Sequence, residues 1–114
     1  MSIKTAPLYA AVVGGLVNGF EVVAIDVKSE IDQLFYRNES RRVPTECIEL
    51  TKPESRLSGF QEDRGGSHVV FVGGVQGGEM FGPFSSSALA AAFGAQVCDA
   101  LDDAQVRFTV FKEK

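Results

Sequence analysis

The stretch HVVFVGGVQGGEMFGPFSSSALAAAFGAQVCDALD, residues 68 to 102, decides the fold. Residues His68 to Val75 are rich in β-branched side chains, Gly77-Gly78 favours a tight turn, and Glu79 to Phe84 form the returning strand. Serines that can cap a helix come next, and the apolar residues after them recur on one helical face, which predicts a helix from about Ser86 to Asp102. The stretch therefore predicts a β-hairpin followed by a helix.

The residues after this helix predict a further strand. Val106, Phe108 and Val110 come at every second position, which is the period of a half-buried strand. Phe111 falls on the opposite face from Phe108. We therefore expect the strand to be covered on both faces, either by the core or by a second copy of the chain in a homodimer.

The first half of the chain repeats this order. Asn18-Gly19 lies between two apolar runs, Leu8 to Val17 and Phe20 to Val27, and favours the type I′ turn of a hairpin. Apolar residues at helical spacing then predict a helix from Val27 to about Asn38. The segment from Val43 to Thr51 has a proline near its start, which fits a strand at a sheet edge.

The order of elements predicts an α+β fold, with a mainly antiparallel sheet and two helices in the order ββαβ-ββαβ. Aligning Val13-Gly14-Gly15 with Val72-Gly73-Gly74 also aligns Gly19 with Gly78. The shared residues are mostly glycines, which two unrelated hairpins would also share. A duplicated hairpin-helix-strand unit and a chance likeness therefore both stay open.

The length of 114 residues is typical of one domain, so we expect a single domain over residues 1–114. Its half-units would span residues 7–51 and 67–112. A long polar loop, residues 52–66, would join them. Loops of this length are uncommon in compact domains unless they are functional or disordered.

Charge and cysteine content exclude several classes of protein. The net charge of −4 gives no field that would hold the whole molecule on nucleic acid or on an anionic membrane. Cys47 and Cys98 are too few for a disulfide framework and indicate a reduced, cytoplasmic compartment. The apolar run from Ala6 to Val17 is shorter than the roughly 20 residues of a membrane span, and we expect a buried strand there.

No pattern in the sequence selects a catalytic centre, a cofactor or a metal. The glycines between positions 73 and 78 lack the Lys-Ser/Thr of a phosphate-binding loop, and Glu79 beside them would repel a phosphate. The spacing of His68, the single histidine, from Cys47 or Cys98 does not indicate a thiolate–imidazole pair, and we expect His68 at the surface. We therefore predict that the protein is not an enzyme and holds no cofactor or metal.

Arginine is unevenly distributed. Five of the six arginines, and six positive against six negative charges, fall between residues 37 and 67. Arginine makes bidentate hydrogen bonds and stacks on flat groups, and an aromatic residue beside it can anchor a partner protein. The residues we predict to bind a partner are Arg41, Arg42, Arg56, Phe60 and Arg64.

The function expected from these observations is that of a non-enzymatic protein-binding module, an inhibitor or regulator that occludes a partner macromolecule. Accessory proteins of phages and mobile elements suggest this only by analogy. A different hypothesis is a small-molecule-binding protein whose backbone approaches the ligand at Gly73, Gly74, Gly77 and Gly78. A small enzyme that uses carboxylates and His68 is less favoured, as is a nucleic-acid binder that uses the arginines.

Overall fold

The computed structural model describes residues 6–15, 19–37, 46–74 and 77–114. These residues form two helices and two three-stranded antiparallel sheets. The predicted α+β class and the ββαβ-ββαβ order are confirmed. The chain divides into two compact units. The single domain expected from the length stays a prediction.

The first unit comprises the chain up to Glu49 together with Glu113–Lys114. Strand β1 is central in its sheet, and the order of strands is β2-β1-β3. Strand β3 thus lies at a sheet edge, as its proline-containing segment predicted. The elements are β1 (Leu8–Gly15), β2 (Gly19–Val27), α1 (Lys28–Arg37) and β3 (Glu46–Glu49).

The buried side chains described in the first unit are aliphatic. They come from β1, β2 and α1, so this small core joins all three elements. Ile31 of α1 has no exposed surface, so this apolar side chain anchors the helix on the sheet. The set is Leu8, Ala10, Ala11, Val12, Val13, Val22 and Ile31.

The second unit comprises Leu50–Lys112. Its strand order is β5-β4-β6, which places the first hairpin strand in the centre and the last strand at an edge, as in the first unit. Both units therefore share one topology, and this agreement is stronger support for a repeat than the shared glycines. The elements are β4 (His68–Gly74), β5 (Gly77–Phe84), α2 (Ser87–Leu101) and β6 (Arg107–Lys112).

Phe93 of α2 is at the centre of the second unit's core. Its ring centroid lies 5.3 Å from that of Phe60, 4.9 Å from that of Phe81 and 5.3 Å from that of Phe84. Ring pairs at these separations stabilise a fold beyond the apolar area that they bury. Helix α2 begins where predicted, because the Ser86 hydroxyl accepts a hydrogen bond from the Leu89 N–H at 3.2 Å.

Gly94 explains how β6 packs against α2. A Cβ atom at this position would lie 2.7 Å from the Phe108 ring, closer than packed carbon atoms approach. The missing side chain therefore lets the aromatic ring of β6 lie directly on the helix. Phe108 remains 36% exposed, so its predicted covering is partial.

Three glycines that were predicted to form the hairpin turns lie in strands instead. Gly19 pairs with Gly15 inside the first hairpin, and Gly77 and Gly78 pair with Gly74 and Gly73 inside the second. Gly19, Gly77 and Gly78 are therefore strand residues, and their predicted turn positions were wrong, whereas Asn18 lies outside the described residues. The residues between the strands, 16–18 and 75–76, lie outside the described residues.

The predicted loop 52–66 follows the outer edge of β5. Thr51 donates its N–H to the Met80 carbonyl at 2.8 Å and accepts from the Gly82 N–H at 3.2 Å, and Asp63 donates to the Pro83 carbonyl at 2.9 Å. The segment also forms a short 3-10 turn at Pro53–Ser55. It thus supplies backbone hydrogen bonds that an edge strand would otherwise lack.

The outer edge of β2 is bonded in a comparable way. Lys114 donates its N–H to the Val22 carbonyl at 3.0 Å, and the Glu113 carboxylate accepts from the Ile25 N–H at 2.8 Å. In each unit, therefore, a segment outside the three strands bonds the outer edge of the second hairpin strand.

Candidate functional site

A cavity of about 300 Å³ opens in the second unit at the tip of the β4-β5 hairpin. Three of the four glycines predicted to approach a ligand line it, namely Gly73, Gly77 and Gly78. Gly74 is not among the lining residues; a Cβ atom there would lie 3.1 Å from the Gln105 carbonyl oxygen. The prediction that a ligand binds at these glycines is not tested by the cavity itself.

The close approach of β4 and β5 requires two of these glycines. A Cβ at Gly73 would lie 2.7 Å from the Gly77 carbonyl oxygen, and one at Gly78 would lie 2.2 Å from the Val72 carbonyl oxygen. Backbone atoms cannot yield that much space. Both residues must therefore be glycine for the strands to pair, and the glycines that line the cavity present only backbone atoms to it.

The floor of the cavity is apolar. Val72 and Phe81 belong to the sheet, Val97 and Leu101 to the last two turns of α2, and Val106 directly precedes β6. Leu101 is 47% exposed, whereas Phe81 is 1% exposed. The cavity thus extends from the edge of the buried core to the surface and could hold an apolar group.

One side of the cavity carries an ion pair. The Arg56 guanidinium donates to Oε1 of Glu79, and the Thr51 hydroxyl donates to Oε2 of the same carboxylate at 3.0 Å. Both side chains of the ion pair are partly exposed, 48% for Arg56 and 40% for Glu79. The pair contributes little to stability at such exposure, but it places a charged guanidinium beside the apolar floor.

Arg56 was predicted to bind a partner protein and the glycines to approach a ligand, whereas Glu79 and Thr51 were not predicted as site residues. Glu79 had appeared only as a reason against phosphate binding. Its partner Arg56 is 23 positions away, and no local pattern joins the two. Leu101 and Val106 flank the turn between α2 and β6. Apolar residues so close to a turn were the sequence signal that could have indicated this part of the site.

Two other predicted partner-binding residues, Phe60 and Arg64, do not line this cavity. Arg64 pairs with Glu62 at 2.7 Å. Phe60 is half-buried against Phe93 and lines a second concavity of about 330 Å³ beside the exposed Leu89. Arg41 and Arg42 lie outside the described residues, so a single surface formed by the five predicted residues stays a prediction.

In the described part of the chain, neither the two thiols nor the histidine forms an activated nucleophile. Burial, the largest cause, raises the pKa of the Cys47 and Cys98 thiols, which favours the unreactive protonated form. His68 is half-buried, and its Nδ1 is buried without a hydrogen-bond partner. His68 is thus only partly exposed, less than a surface residue would be, and its Nδ1 forms no bond to a thiol in the described part of the chain.

Tyr9 of the first unit donates its hydroxyl hydrogen bond to Glu49 at 3.4 Å. Burial, followed by the charge of Glu49, raises the pKa of the Tyr9 hydroxyl. The bond from the nearby Lys28 to Asp32 raises the pKa of the Lys28 ammonium. These groups keep their ordinary charge states at neutral pH.

Comparison with known proteins assigns no family to the chain. No protein-family model matches it, and neither curated proteins nor solved structures give a match. Within residues 6–15, 19–37, 46–74 and 77–114, no helix is long and apolar enough to cross a membrane. The same residues contain no group of three or more His, Cys, Asp or Glu side chains that could hold a metal ion.

Proposed function

We propose that the protein binds a small molecule in the cavity at the tip of the β4-β5 hairpin. The single observation that carries this proposal is the composition of that cavity. It joins an apolar floor, a wall of bare glycine backbone and one charged pair in about 300 Å³. Ligand sites are typically concave and mostly apolar with a few polar groups, and they begin at about this volume.

The proposed function can be tested by filling the cavity. Leu101→Trp places a larger side chain at a lining position that is already 47% exposed. Leu89→Trp is the matched control, since Leu89 is 46% exposed on the same helix but does not line this cavity. A fragment library would be screened against all three proteins by ligand-observed NMR.

The proposal expects a set of fragments that bind the original chain and the Leu89→Trp variant but not the Leu101→Trp variant. Circular dichroism would confirm that both variants are folded. Fragments that bind all three proteins alike, or a library without any hit, would contradict a ligand site in this cavity.

A second candidate is the protein-binding module expected from the sequence. One observation favours it: the concavity between the segment after Pro53–Ser55 and the start of α2 combines Phe60 with the exposed Leu89. An apolar side chain of a partner could insert beside Leu89, with Asp63 at the same concavity to receive a basic neighbour. Leu89→Asp should then abolish capture of the partner, whereas Leu101→Asp should leave it intact.

A further inference from the structure

We infer that the cavity takes a small carboxylic acid with an aromatic or branched apolar body, bound through the Arg56 guanidinium and the Gly78 N–H. This inference rests on the proposed function and names the class of its ligand. The ligand class follows from the hydrogen bonds that the polar groups at the cavity already make within the described residues.

The Glu79 carboxylate is already bonded on both oxygens, by Arg56 and by Thr51. A ligand cation would have to displace the guanidinium from it. Arg56, in contrast, can form further hydrogen bonds. A guanidinium has five N–H donors, and the single bond that Arg56 makes to the described residues uses Nη2. Its other donors are free to form the two parallel bonds that a carboxylate accepts.

The backbone of β5 supplies a second donor. The Met80 carbonyl and the Gly82 N–H both point to the outer edge of β5, where Thr51 bonds them. Alternate residues of a strand point to the same side, and the pairing from Gly78 to Phe81 is regular. The Gly78 N–H therefore points to that edge as well, and no residue in the described part of the chain bonds to it there.

The cavity thus offers two hydrogen-bond donors on one side and an apolar floor on the other. An amphipathic acid fits this arrangement, with its carboxylate at Arg56 and Gly78 and its body over Val97 and Leu101. One force opposes an anion, since the carboxyl end of α2 carries a partial negative charge, and the guanidinium must outweigh it.

Three probes with the same ring system separate the contributions: 2-naphthylacetate, its neutral amide and 2-naphthylethylamine. Dissociation constants would be measured by isothermal titration calorimetry. We expect the acid to bind about tenfold more tightly than the amide, because hydrogen bonds to a charged group are stronger than neutral ones. We expect the amine to bind most weakly.

Variants of the ion pair test the role of Arg56. Arg56→Gln should make the acid and the amide bind alike, and Arg56→Lys should restore part of the preference. Glu79→Gln should tighten the acid severalfold, because it removes the competitor for the guanidinium. Arg107→Gln is the control, since it removes one positive charge from the same unit without altering a lining residue.

The possible failures of the inference and of the proposed function are distinguishable. If the amide or the amine binds as tightly as the acid and Leu101→Trp blocks it, the ligand class is wrong while the cavity remains the site. Fragment hits that Leu101→Trp blocks, without binding of any naphthyl probe, would likewise overturn only the ligand class. Binding of the acid that survives both Leu101→Trp and Arg56→Gln would overturn both.

Discussion

The two units share a strand order but differ in their core side chains and in the length of their helix. In the first, the described core is aliphatic and helix α1 has 10 residues. In the second, phenylalanine rings from β5 and α2 pack together and helix α2 has 15 residues. The cavity lies beside this ring cluster, since Phe81 belongs to the cluster and also lines the cavity. A repeated topology therefore need not carry a repeated function.

The largest expected effect comes from removing the central ring. Phe93→Ala should lower the free energy of unfolding by about 3 to 5 kcal/mol, because it deletes a fully buried aromatic side chain and leaves a void. Ile31→Ala, at the equally buried helix position of the first unit, should cost less. Urea titrations of both variants would show the order, and a larger loss from Ile31→Ala would contradict our account of the two cores.

Substitution of Gly94 tests the close contact between α2 and the Phe108 ring of β6. Alanine normally stabilises a helix interior relative to glycine by about 1 kcal/mol, but Gly94→Ala should destabilise by about 1 to 3 kcal/mol because its Cβ would overlap the Phe108 ring. Adding Phe108→Ala should remove most of that penalty. The exposed helix position Ala92 is the control, where Ala92→Gly should destabilise by the ordinary amount.

A smaller effect is expected at the start of α2. Ser86→Ala removes the hydroxyl that accepts from the Leu89 N–H and should cost about 1 kcal/mol. The neighbouring Ser87, inside the helix and exposed, is the control. Ser87→Ala should change the thermal midpoint little, and an equal fall for both variants would show that the cap is not the cause.

The thiols give the smallest effect, a dependence on pH. The folded chain holds the Cys47 and Cys98 protons more tightly than the unfolded chain, because burial raises both thiol pKa values. Stability that is complete below the ordinary thiol pKa should therefore fall as pH rises from there through the raised pKa. A Cys47→Ser, Cys98→Ser double variant should lack this part of the alkaline decline in urea titrations, and an unchanged decline would contradict the assignment.

The sequence predicted most of the fold because each helix and strand carries a local signal. The apolar spacing after Ser86 and the alternation from Val106 predicted α2 and β6 to within a residue or two. The turn positions were wrong because the same glycines serve both as turn formers and as strand residues where two backbones approach closely. Gly73 and Gly78 belong to the second kind.

The candidate site was only partly predictable because its polar side depends on contacts between distant parts of the chain. Arg56 bonds to Glu79, and Thr51 bonds to the outer edge of β5. Neither contact has a local sequence signal. Phe60 shows the converse. Its aromatic character predicts a partner anchor, which stays a prediction, and its ring also packs against Phe93, a contact that composition alone does not reveal.

The most direct test of the central claim, that one of two similar units binds a ligand, is an amide chemical-shift map recorded while 2-naphthylacetate is added. Our account predicts shifts concentrated at the cavity, at Gly73, Gly77, Gly78, Leu101 and Val106, with the amides of Gly14 and Cys47 in the first unit unmoved. Shifts of similar size in both units, or none at the cavity at saturating probe, would contradict it.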